Sequence, residues 1–162
     1  MHMEDVDFIN SLLKHSFAFR LYKRKSSFEI IFDQADRFNK QNAKKYEFVL
    51  LLKPYLSDDY PELVFAYINA CLSFKNKTNR SSSIPLEMLI YLSGAKSITE
   101  AISKLGADKK GEFLIFSNSL DTLDTMEREG LIECREELKN RNINAEDLPA
   151  LSNIAKNKLE AT

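Results

Sequence analysis

Between Pro85 and Gly106 the chain carries start and stop signals for two helices joined by a three-residue corner. Pro85 suits a first helical turn, where a missing N–H costs nothing. Leu86, Leu89, Ile90 and Leu92 give that helix its apolar positions, and Gly94 can close it in the left-handed conformation. Ser97-Ile98-Thr99-Glu100 is then a capping box: the Ser97 oxygen can accept the Glu100 N–H while the Glu100 side chain reaches back. Ile98, Ala101, Ile102 and Leu105 form the stripe behind the box, with Gly106 placed as a left-handed stop.

The rest of the chain is read around that corner. Phe17, Phe19 and Leu21 share one face at the two-residue period, so a strand is expected there, with Phe28 to Phe32 as its partner across a polar connection. Asp33 to Lys45 reads as a polar stretch, and Tyr46 to Lys53 as a short buried strand ended by Pro54. Asp58, Asp59, Pro61 and Glu62 mark the start of a helix whose apolar face is Val64, Tyr67, Ile68, Cys71 and Leu72. Lys75 to Ser83 contains no apolar residue and is expected as an exposed loop. Glu112 to Ser117 reads as a strand and Leu120, Leu123 and Met126 as a helix before Gly130. Leu131 to Cys134 suits an edge strand or a continued helix. Pro149 precedes a last helix carrying Leu151, Ile154, Ala155 and Leu159. With 162 residues, no internal repeat and no long linker, one α+β domain over 1–162 is expected, a central antiparallel sheet flanked by helices.

Composition narrows the function more by exclusion than by signal. The chain is 44% hydrophobic and 29% charged, ordinary for a globular protein, and no apolar run approaches the roughly 20 residues of a membrane span. The start, Met1-His2-Met3-Glu4-Asp5, lacks a basic segment leading into an apolar one, and two cysteines do not make a disulfide framework, so a reduced cytoplasmic setting is expected. Four glycines cannot assemble a phosphate-binding or dinucleotide loop, and the isolated Cys71 and Cys134 give no zinc pattern. His15 has no nucleophile or orienting carboxylate beside it in sequence, and neighbouring acids such as Asp58-Asp59 and Glu136-Glu137 point apart. No enzyme, cofactor, metal or small-molecule substrate is expected.

Charge points weakly toward a bridging role. The net charge is -1, but residues 1–110 carry +4 and residues 111–162 carry -5. Lys75, Lys77 and Arg80 in the polar loop, with Lys96 at the helix corner, are the candidate phosphate contacts; a solvated basic surface is the plainer reading. Phe17, Phe19 and Tyr22 interleaved with Arg20, Lys23, Arg24 and Lys25 suit either a base-stacking strand in a generic single-stranded RNA-binding module or an ordinary core strand.

The stretch Leu86 to Gly106, LEMLIYLSGAKSITEAISKLG, resembles the signature of the small kinase-binding subunit of the KEOPS complex, the TPRKB-type family. Glu87, Ser93, Gly94, Ile98, Glu100, Ala101 and Gly106 carry the likeness, and the order of elements from Tyr46 to the C-terminal helix agrees with it. The likeness covers about twenty residues in detail, is architectural over the rest of 46–162, and leaves residues 1–45 without a counterpart. It implies a non-catalytic subunit that binds a small atypical kinase and helps bring tRNA, through its 3′ CCA end, to the partner that makes N6-threonylcarbamoyladenosine. Leu151, Ile154 and Leu159 are then the candidate anchors for the kinase, although the same stripe can equally pack on its own sheet.

Overall fold

A computed structural model describes residues 3–138. The elements run α1 (Met3–Leu13), β1 (Ala18–Arg24), α2 (Phe28–Asn42), β2 (Val49–Leu52), α3 (Tyr60–Lys75), α4 (Ile84–Ser93), α5 (Ile98–Leu105), β3 (Phe113–Ser117), α6 (Leu120–Arg128) and β4 (Ile132–Glu137). The four strands form one antiparallel sheet in the order β2-β3-β1-β4, and the architecture is α+β in a single domain. The sheet is covered on both faces. Phe17, Phe19, Leu50, Leu52, Leu114 and Phe116 meet α1, α3 and α4 on one side. Ala18, Tyr22, Val49, Leu51, Phe113 and Ile115 lie under Ile31 and Ala35 of α2 and Leu123 and Met126 of α6 on the other. Double coverage explains why β2 and β3 are apolar at successive positions, since both faces of each strand must leave water.

The start of the chain differs most from the sequence reading. Phe28 to Phe32 is helix, not strand: Ser27 caps it by accepting the Ile30 N–H at 3.4 Å, and Ile31, Ala35 and Asn39 follow at four-residue intervals on its buried face. The polar run Asp33 to Lys45 is largely the solvent side of that helix. α1 was not anticipated at all, yet its Ile9 and Leu12 are fully buried against α3. β4 resolves the open choice after Gly130 in favour of an edge strand, exposed at every position but Ile132. The C-terminal stripe of Leu151, Ile154 and Leu159 lies outside the described residues.

Arg24, the last residue of β1, pins the approach to β3. Its guanidinium sits between the rings of Phe28 and Phe113, at 4.8 and 4.7 Å from their centroids, and donates to the Gly111 carbonyl at 2.8 Å and to that of Asp108. The contact locks the start of α2 to the loop that feeds β3.

A candidate nucleic-acid interface along α4

The helix corner forms as its sequence dictates, with two differences of detail. Ser83 caps α4 by accepting the Leu86 N–H, and Gly94 ends it at φ +64. Ser97 accepts the Glu100 N–H at 3.2 Å, but the Glu100 carboxylate reaches one residue further back, to the Lys96 N–H at 3.4 Å. Hydrogen bonding from Lys104 and then Lys96 holds this exposed carboxyl below its usual range. Gly106 is extended rather than left-handed, with φ -67. It is glycine for another reason: a Cβ there would lie 2.8 Å from the Ile102 carbonyl oxygen.

The remaining signature residues have structural work. Ser93 accepts the Ala95 N–H at 3.1 Å, Ala101 is buried and Ile98 packs on the core. Glu87 is the least expected: the residue is 1% exposed and its carboxylate accepts the backbone N–H groups of Arg80 and Ser81, the latter at 2.9 Å. One buried acid therefore shapes the loop before α4 from inside it.

The four basic candidates do not form one cluster. Lys75 ends α3 and pairs with Asp5 of α1 at 3.1 Å, its ammonium 4.9 Å from the Phe8 ring centre. Its charge is spent on joining α3 to α1. Lys77, in the left-handed region at φ +59, and Arg80 are exposed in the loop entering α4. Lys96 is exposed at the other end of that helix, whose ten residues span about 15 Å. The loop is also less open than its polarity suggests, since Ser81 and Ser83 are buried.

A feature that the sequence reading lacks lies against the first half of α4. Phe28 and Phe32 of α2, Pro85, Leu86 and Leu89 of α4, and Ile102 of α5 line a narrow apolar cleft of about 70 Å³ over the edge of β2. Phe28 and Phe32 stack with ring centres 5.7 Å apart, and Phe32 and Ile102 remain 41% and 38% exposed. The four-residue spacing of the two phenylalanines was the available signal, hidden by assigning them to a strand. The cleft offers apolar faces for flat rings, and the exposed Lys77 and Arg80 of the loop before α4 offer charges for phosphates.

Other candidates fall away. Phe17 and Phe19 are each 1% exposed and Tyr22 is fully buried, so the Phe17–Lys25 strand presents no aromatic platform to a base. His15 is exposed in the turn after α1. Cys71 is buried beside Tyr67, and burial pushes both the thiol and the phenol well above their ordinary ranges. Among the described residues no three His, Cys, Asp or Glu side chains gather as a metal site, and no helix is long and apolar enough to cross a membrane.

Residues 29–159 match the family model described as kinase binding protein CGI-121. The chain belongs to this kinase-binding family. Comparison with curated proteins gives no match. The CGI-121 match starts within α2 rather than near Tyr46, so it takes in the helix that forms one wall of the cleft as well as the signature corner that forms the other.

Proposed function

We propose that this member of the kinase-binding family is a non-catalytic accessory subunit of the KEOPS complex in the cytoplasm. It holds the complex's small atypical kinase and helps recruit tRNA, by its 3′ CCA end, for threonylcarbamoyladenosine formation. The observation that carries the kinase half is the family match, which covers 131 of the 162 residues. The tRNA half draws support from the cleft lined by the first half of α4 and the stacked phenyl rings of Phe28 and Phe32, with the exposed Lys77 and Arg80 in the loop that leads into that helix. An unpaired single-stranded end suits such a surface, since its bases can stack while its phosphates meet cations.

In this reading Leu151, Ile154 and Leu159 anchor the kinase, and Lys77, Arg80 and Lys96 meet the RNA backbone. Lys75 contributes indirectly by tying α3 to α1. Co-elution and calorimetry of the chain with the small kinase subunit of the same organism test the first claim: a one-to-one complex is expected, lost in Ile154→Glu with the fold intact. Absence of binding between two folded proteins refutes the accessory role, and unfolding of Ile154→Glu would assign that residue to the chain's own core.

A further inference from the structure

The loop that enters α4 presents its consecutive serines alternately inward and outward. Ser81 and Ser83 are buried, 8% and 1% exposed. Ser81 Oγ donates to the Ser83 carbonyl at 3.1 Å, and Ser83 Oγ caps the helix. Ser82 between them is exposed, and its hydroxyl makes no hydrogen bond with the described residues. The Glu87 carboxylate holds the preceding two backbone N–H groups, so this outward presentation is built in rather than incidental. Arg80 lies two residues before Ser82 and Lys77 five before, both exposed and neither in an ion pair among the described residues. An accessible hydroxyl in an irregular segment is what phosphoryl transfer needs in an acceptor, preceding cations are what a kinase with an acidic substrate groove prefers, and this family binds a kinase.

We propose that Ser82, next to the cleft-lining Ser83, is a phosphorylation site for the bound kinase, and that the phosphate cancels the charge that Lys77 and Arg80 of the same loop offer to RNA. The second half rests on the tRNA reading of α4 given above. In the transfer, Ser82 Oγ attacks the γ-phosphorus of magnesium-bound ATP held by the kinase. The Oγ–P bond forms as the bond from that phosphorus to the bridging oxygen breaks, ADP leaves with the electron pair, and the hydroxyl proton passes to the kinase's general base. A phosphoserine carries close to two negative charges at neutral pH, enough to offset both cations and to repel an RNA phosphate.

The test uses the full chain, the purified small kinase subunit of the same organism, magnesium and ATP, with phosphate mapped by mass spectrometry. One phosphate at Ser82, absent from Ser82→Ala, is expected; among the described residues Ser82 makes no side-chain hydrogen bond, so this variant keeps the loop's own contacts. No incorporation, or incorporation only elsewhere, overturns the proposal. The phosphorylated chain is then titrated with labelled tRNA beside the unmodified chain and a Lys77→Glu/Arg80→Glu variant. Both altered forms are expected to bind about tenfold more weakly. Weakening by charge reversal but not by the phosphate overturns the switch and leaves the tRNA reading standing. Weakening by neither removes the tRNA reading and the switch with it.

Discussion

Asn39 takes the place of a neighbouring strand for Val49: its side-chain amide donates to the Val49 carbonyl at 2.8 Å and accepts the Val49 N–H at 2.7 Å. Val49 begins β2, which ends the sheet, and an edge strand left open invites pairing with another chain. Further along, Ala107 donates to the Leu51 carbonyl and Lys53 to that of Leu105. The edge is thus closed at both ends by groups of the same chain, and the cleft above it presents side chains instead of a free ladder.

Replacing Asn39 with alanine strands two buried backbone groups at once. Urea unfolding should show a loss of about 2–4 kcal/mol. Asn39→Asp keeps an acceptor for the Val49 N–H but sets a carboxylate against the Val49 carbonyl. Its deficit should shrink as the pH falls and the carboxyl becomes a donor. A pH-independent deficit would show that the second hydrogen bond contributes nothing.

Glu87 offers a sharper contrast between shape and charge. Glu87→Gln retains an acceptor for the Arg80 and Ser81 N–H groups and should cost less than about 1 kcal/mol, whereas Glu87→Ala should cost about 2–3 kcal/mol. Hydrogen exchange at amides 80 and 81 reports the cause directly. Both should exchange much faster in the alanine variant, and unchanged protection there would remove the carboxylate from its role in the loop.

The two glycines of the corner should respond in opposite ways to asparagine. Gly94 sits at φ +64 with nothing within 4 Å of a built Cβ, so Gly94→Asn, which tolerates the left-handed region, should be nearly neutral. Gly106→Asn drives a Cβ against the Ile102 carbonyl and should cost about 1–3 kcal/mol by pushing the end of α5 away from β2. Thermal melts of the pair decide it, and equal shifts would contradict the difference in cause.

Alkaline stability should depend on Tyr22. Burial pushes its phenol up to about 12, with the Arg20 guanidinium, 3.3 Å from the hydroxyl, opposing the rise. A folded-state value above the unfolded one means stability is complete below pH 10 and falls as the pH rises from 10 to 12, by up to about 2–3 kcal/mol. Tyr22→Phe should make that part of the profile shallower, with the slope that remains coming from the buried Tyr67 phenol and Cys71 thiol, measured by denaturant unfolding at stepped pH.

The corner was legible in sequence because its signals are local: a cap, a box and a glycine act within four residues of each other. Gly106 marks a stop in the sequence and in the fold, though through steric contact rather than a left-handed turn, which depends on where the Ile102 carbonyl lies. Phe28 to Phe32 misled because five residues can satisfy a strand pattern while the helix period shows only on reaching Ala35 and Asn39. The cleft is invisible in sequence for a different reason, since its walls come from α2 and from α4 and α5, more than forty residues apart. Lys75 stands with Lys77 and Arg80 in sequence, and only the fold reveals that Asp5 takes its charge.

The placement of β1 bears on how this protein can be divided. Ala18–Arg24 precedes the first residue of the family match, yet it is an interior strand, paired with β3 on one side and β4 on the other. A chain trimmed to residues 29–159 would keep β2 and β3 as a two-stranded ribbon and leave β4 with no partner among the described strands. Phe17 and Phe19 would also leave the aromatic packing around Phe116. The stretch that matches the family model is thus narrower than what one molecule of this chain must keep in order to fold.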